Sequence, residues 1–310
     1  MKDSDILFLI KEKSTAYLNE IISIRRHFHM YPELSFEEKE TSSYICQKLN
    51  SMGISYKSEI GGYGIVATIR GKSNDSVVAL RADMDALPIF ETNEITYKSQ
   101  TDGIMHACGH DVHMSSLLGA TRILQDIREY LPFTIRIIFQ PGEEKLPGGA
   151  SLMIREKVLE GPRPECIVGQ HVFPSLPSGK VGIRSGLYMA SSDEIYIEVV
   201  GKGGHAAMPH ECTDTILAAS QILVSLQQIV ARNGDPSIPT VLSFGRFNSD
   251  GGATNIMPDK VYLAGTFRTM NEKWRSDAHK LILKISDETA KAYGVECQVK
   301  IVIGYPCLYN

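Results

Sequence analysis

The period of the apolar positions changes along the chain, and each change marks an element. Ile6, Leu9, Tyr17, Ile21, Ile24 and Phe28 recur at helical spacing, with Ser4 as the candidate cap and Tyr31-Pro32 as the stop. Residues 36–52 predict a second helix closed by Gly53 in the left-handed region. Residues 54–60 and 64–70 read as strands. Residues 76–80, 133–139 and 166–169 are short, continuous apolar runs, the mark of strands buried on both faces. Between them lie a helix after His110, with Leu117, Leu118, Ala120, Ile123, Leu124 and Ile127 inward, and another near 150–159. This alternation predicts an α/β fold with a mostly parallel sheet between helices.

After residues 181–184 the pattern changes. Strand 193–200, helix 212–232, strands 240–247 and 260–268, helix 271–293 and strand 296–303 follow in that order. The order β-α-β-β-α-β is the split motif of ferredoxin-like domains. The expected organisation is a first domain over 1–185, a smaller inserted domain over 186–304, and a return toward the first at 305–310.

Composition narrows the function class. The 310 residues are 43% hydrophobic with a net charge of −4, which points to neither nucleic acid nor an anionic membrane. No run of eighteen apolar residues occurs, and charge interrupts the N-terminal apolar stretch too early for a signal peptide. Six cysteines without framework spacing read as reduced thiols in a cytoplasmic protein.

The three buried-strand runs all end in polar chemistry. The first ends in Arg81-Ala82-Asp83-Met84-Asp85, the second in Gln140-Pro141-Gly142-Glu143-Glu144, the third in Gln170-His171. Ligands of parallel sheets sit beyond these C-terminal ends. Residues 105–113 add three histidines, a cysteine and an aspartate. Gly109 between Cys108 and His110 allows a bend that aims both side chains at one point. Thiolate and imidazole suit zinc, and also manganese, cobalt or nickel. With Cys108, His110, Glu143, Glu144 and His171 combined, one glutamate can ligate a metal while the other takes a proton from a metal-bound water. Singly, each has a plainer reading: Glu143-Glu144 as a solvated turn, His171 as a core histidine. Asp83 and Asp85 read as turn or capping aspartates, or Asp85 as a support that orients a ligand histidine.

The smaller domain carries Gly201-Lys202-Gly203-Gly204-His205, a glycine-rich approach that ends in a histidine. His205 is either a surface histidine on a flexible turn or a hydrogen-bond donor to an oxyanion. Asn255 and Arg268 are candidate holders of a substrate carbonyl and carboxylate. Asn255 equally fits a loop amide, and Arg268 a surface cation.

As a set these stretches resemble the M20 family of metal-dependent peptidases and amidohydrolases. The likeness is to the branch of hippurate hydrolases, N-acyl-amino-acid amidohydrolases and auxin-conjugate hydrolases. It is carried by Arg25-Arg26-His27-Phe28-His29, Pro32-Glu33-Leu34-Ser35, Asp83-Met84-Asp85-Ala86-Leu87-Pro88, residues 105–113, Gln140-Pro141-Gly142-Glu143-Glu144, Gly203-Gly204-His205-Ala206-Ala207-Met208-Pro209 and Gly265-Thr266-Phe267-Arg268. The resemblance implies Cys108, His110, Glu144 and His171 as ligands of two divalent metal ions. It implies Glu143 as general base, Asp85 as support for a ligand, and His205, Asn255 and Arg268 as substrate contacts. It further implies a catalytic domain, an inserted lid that forms a homodimer, and hydrolysis of small N-acyl amino acids such as hippurate. The family pattern also carries a late metal-binding histidine, whereas no histidine follows His279 here. The expectation is therefore a chain cut short within its catalytic domain. The rival functions are a non-catalytic metal-binding or dimerising protein, or a dipeptidase or deacetylase of the same family.

Overall fold

A computed structural model describes residues 3–310. The chain divides into two compact units, Met1–Lys180 and Val181–Asn310. The first unit contains helices α1 (Asp3–Met30), α2 (Lys39–Ser51), α3 (His110–Asp126) and α4 (Gly149–Arg155). Its strands are β1 (Tyr56–Ile60), β2 (Gly64–Ile69), β3 (Val77–Asp83), β4 (Thr134–Gln140) and β5 (Cys166–Gly169), ordered β1-β2-β4-β3-β5 in one sheet.

This sheet is mixed, which corrects the expectation of a mostly parallel one. β3 runs parallel to β4 and β5, whereas β1–β2 and β2–β4 are antiparallel. The cause is the connections. The short turn after Ile60 sends the chain straight back, while helical crossovers through α3 and α4 return it in the same direction. Apolar periodicity does not encode strand direction. One face carries the main core, where Phe28, Ile45, Leu49, Met114 and Leu118 pack against Ile65, Ala67, Ile137 and Phe139. Ala79, Ile138 and Met153 form a smaller cluster. α1 already includes Asp3, so Ser4 sits within its first turn rather than capping it. Gly53 closes α2 at φ 66 as its position predicted.

The second unit holds β6 (Leu187–Met189), β7 (Asp193–Val200), β8 (Gly204–His205), α5 (Thr215–Leu226), β9 (Thr240–Ser249), β10 (Ile256–Met257), β11 (Lys260–Thr269), α6 (Glu272–Ala292), β12 (Glu296–Ile303) and β13 (Leu308–Tyr309). Four long strands form an antiparallel sheet in the order β12-β7-β11-β9. β7 alternates buried and outward residues, and Ile195, Ile197 and Val199 meet Ala218, Ile222, Ala278 and Ile282 of α5 and α6. The helix expected over 212–232 is shorter. It ends at Leu226 and gives way to a wider turn over Ile229–Asn233. Among the described residues no helix is long and apolar enough to cross a membrane.

Candidate metal centre

The site of the first unit grows from the ends of β3, β4 and β5 and the start of α3. Gly109 precedes α3 at φ 89, and a Cβ there would lie 2.4 Å from Val172 Cγ2. Only glycine accepts that backbone at that distance, so Cys108 and His110 turn toward each other and toward His171. After β4 the chain turns at Gly142, φ 53, whose N–H donates to the buried Glu38 at 2.7 Å. That turn delivers Glu143 and Glu144.

Three overlapping groups each keep candidate ligand atoms within 4.8 Å of one another: Cys108, His110 and His171; His110, Glu143 and Glu144; and Asp83, His110 and His113. His110 belongs to all three and is fully buried. Its Nδ1 donates to the Asp85 backbone carbonyl at 2.8 Å, with Asp85 Oδ1 at 3.3 Å. Its Nε2 is buried without a hydrogen-bond partner, 3.6 Å from Asp83 and 3.8 Å from Glu144. Cys108 Sγ lies 3.3 Å from His171 Nε2, while His171 Nδ1 bonds the Val172 carbonyl at 2.7 Å. Asp85 sits beneath. Its Oδ2 accepts from Ser35 Oγ at 2.6 Å and from the Glu144 N–H at 2.8 Å.

Proton affinities follow from this crowding. Burial would depress His110, but the bond to Asp85, the neighbouring Cys108 and the nearby Asp83 charge push it up to about 11. Burial, then the Glu144 and Asp83 carboxylates, hold Glu143 above the ordinary glutamate value. Asp83 is driven the other way. Burial opposes ionisation, yet His113 and Arg81 hold its carboxyl well below the usual range. The Cys108 thiol, despite the neighbouring His110, stays above its usual value through burial and the Glu144 carboxylate.

Sulfur, imidazole and carboxylate donors thus face one another around a buried nitrogen with no partner. An unpaired buried polar atom is costly, and a divalent cation is what this donor set accepts. The residues therefore fit a metal: Cys108, His110 and His171 on one side, His110 with Glu143 and Glu144 on another.

Two features were missed from sequence. Asp83 and His113 join the cluster through a contact spanning 30 residues. His29 bonds Asp111 at 2.8 Å and Glu91 at 3.0 Å in a buried network. Local spacing carries no signal for either. His27 stacks on Tyr44, and Arg26 lies over Tyr97.

In the second unit, β8 and β10 pair His205 with Ile256, and the Ala206 N–H donates to the Asn255 carbonyl at 3.0 Å. His205 and Asn255 therefore sit side by side, both exposed. Arg268, also exposed, lies eight residues beyond Lys260 on β11, or about 26 Å at a strand's rise per residue.

Fold and site define a metal-dependent hydrolase of amide bonds. The chain belongs to Peptidase family M20/M25/M40, whose pattern matches residues 79–308. It is 40% identical to an N-acetyl-L-cysteine deacetylase of Bacillus subtilis, over 99% of this chain and 74% of that one. It is 38% identical to an N-acyl-L-amino acid amidohydrolase of Geobacillus stearothermophilus, over 100% of this chain and 82% of the relative. Among solved structures, a dinuclear metal-binding peptidase of the M20 family from Bacillus subtilis superposes with a TM-score of 0.80 at 34% identity. That match covers 96% of this chain and 76% of the other.

Proposed function

We propose that the chain hydrolyses the amide of small N-acyl amino acids, of which hippurate is the type, releasing a carboxylic acid and a free amino acid. Cys108, His110, Glu144 and His171 would hold two divalent ions of the manganese, zinc, cobalt or nickel kind. Bound ions supply the charge that makes water nucleophilic near neutral pH and polarises the scissile carbonyl. Glu143 takes the proton of the attacking water and returns it to the departing amine. Its raised proton affinity is the direction such a base requires. The Asp85 carbonyl holds the Nδ1 proton of His110, which leaves Nε2 as the nitrogen that would face a bound ion. Within the proposed homodimer, His205 and Asn255 of one subunit would hold the carbonyl and its developing oxyanion, and Arg268 of the other would pair the substrate carboxylate. Residues 1–185 act as the catalytic domain and 186–304 as a lid that forms the homodimer. Free thiols at all six cysteines suit a cytoplasmic setting.

What supports this reading above all is the buried, unpartnered Nε2 of His110 amid Cys108, Glu144 and Asp83. The test is amino-acid release from N-acetyl and N-benzoyl amino acids, with Glu143→Gln as control. The account expects turnover in the unsubstituted chain and loss in the variant with metal still bound. Turnover that survives Glu143→Gln removes Glu143 from its role. A second reading, a deacetylase, draws on the 40% identity to an N-acetyl-L-cysteine deacetylase. It predicts a strong preference for acetyl over benzoyl substrates. Metal uptake with no amine release would instead favour a non-catalytic metal-binding chain.

A further inference from the structure

Asp83, His110 and His113 bring ligand atoms together as closely as the other groups do, so His113 stands as a rival metal ligand. Its hydrogen bonds argue otherwise. His113 is 1% exposed, and its Nε2 lies 3.0 Å from the backbone N of Val172. A backbone N–H only donates, so Nε2 carries no proton. The proton is then on Nδ1, which donates to Asp83 Oδ1 at 2.6 Å. Neither nitrogen keeps a free lone pair.

The bonds continue in both directions. Asp83 Oδ2 accepts from Arg81 Nη1 at 2.7 Å, and Arg81 Nε and Nη2 both donate to Gln140 Oε1, at 2.9 and 2.8 Å. A single line thus runs from Gln140 at the end of β4, through Arg81 and Asp83 at the end of β3, through His113 on α3, to Val172 beyond β5. Val172 adjoins His171, whose ring meets that of His113 edge-on with centroids 4.5 Å apart. His171 itself is exposed and lies past a four-residue edge strand. Its Nε2 meets Cys108 Sγ at 3.3 Å, and its Nδ1 bonds only the neighbouring Val172 carbonyl.

We propose that His113 is a positioning residue: it accepts the Val172 N–H and donates to Asp83, and so holds His171 against Cys108 without ligating metal itself. The proposal rests on the metal reading of Cys108, His110 and His171, but its hydrogen-bond core does not. It predicts a split between two side chains that each keep half of the arrangement. Glutamine at 113 places an acceptor oxygen near the old Nε2, whereas asparagine places an amide near the old Nδ1.

The experiment has two arms. In the first, cobalt(II) is titrated into the full chain and into His113→Gln, His113→Asn and His113→Ala. Uptake is followed by metal analysis and by the thiolate-to-cobalt charge-transfer band of Cys108. Loss of an orienting partner weakens metal sites by roughly 10- to 100-fold, and that loss is expected in Asn and Ala. In Gln the affinity stays within roughly tenfold of the unsubstituted chain, since the Val172 bond survives. All variants reach the same number of ions per chain at saturation. One ion fewer at saturation in His113→Gln, with the fold intact, makes His113 a ligand and overturns the proposal. In the second arm, nitrogen-15 NMR of the metal-free, unsubstituted chain reads the His113 tautomer. Protonation on Nδ1 is expected, and protonation on Nε2 overturns the proposal. If the unsubstituted chain takes up no cobalt, the proposed function fails, and the tautomer alone decides for or against the Val172–His113–Asp83 bridge.

Discussion

Each unit sets a histidine against buried carboxylate, and the two groups differ in how completely they are paired. In the second unit, Asp193 is fully buried and receives Arg275 Nε at 2.9 Å, Arg275 Nη2, His279 Nε2 at 2.8 Å and the Gly304 N–H at 3.0 Å. Both its oxygens are occupied, and Arg275 supplies the matching charge. In the first unit, His110 meets Asp83, Asp85 and Glu144 at ion-pair distances, yet its own Nε2 and Asp85 Oδ1 have no hydrogen-bond partner. Proton affinities separate them as well. Against the cost of burial, its partners hold Asp193 well below the usual carboxylate range, whereas burial and like charges hold Glu143 above it. Completed pairing marks a structural knot. Incomplete pairing among metal-type donors marks a place for something else to bind.

Substitutions should break the comparison along that line. Glu143→Gln should lower kcat by roughly 10²- to 10⁴-fold, the usual worth of a general base, with melting temperature and metal content unchanged. Asp193→Ala removes one partner of a buried pair and should cost about 3–5 kcal/mol of stability by denaturant unfolding, while metal affinity per folded chain stays the same. Divalent metal at 100 times its Kd should stabilise the chain by about 2.7 kcal/mol. Chelation should reverse this, with an equal increment in Asp193→Asn because the two sites share no partners.

Acid should then sharpen the contrast. The folded pKa of Asp193 lies below its unfolded value of about 3.9, so its contribution is present above that pH and lost as pH falls through the folded value. The stability gap between the unsubstituted chain and Asp193→Asn should therefore narrow below about pH 4. A constant gap down to strong acid would contradict the assignment. Smallest of all, Ile167→Thr on β5 should change stability by about 0.5 kcal/mol or less, since Ile167 is 50% exposed.

That last figure bears on what the sequence reveals. Residues 133–139 and 166–169 look alike as apolar runs, and both were read as strands buried on two faces. β4 is buried at every position, because β2 and β3 flank it and both core clusters cover it. β5 is an edge strand exposed at every position. Apolar composition marks the strand, but its neighbours decide its burial. The same holds for the site. His171 was legible because polar residues follow apolar runs at strand ends, and Cys108 and His110 because thiol and imidazole crowd residues 105–113. His113 and His29 were not, since their partners lie 30 and 82 residues away. Strand direction in β2 and the early end of α5 were equally invisible to periodicity, being set by connections and packing.

The central claim is that the unpaired nitrogen of His110 lies in a cation site built with Cys108. Equilibrium dialysis of the chain against zinc, manganese, cobalt and nickel, followed by metal analysis, tests it most directly. The account predicts tight uptake of at least one of these ions, strongly weakened in His110→Ala and in Cys108→Ser. No uptake of any of the four, or uptake indifferent to both substitutions in folded protein, would contradict it.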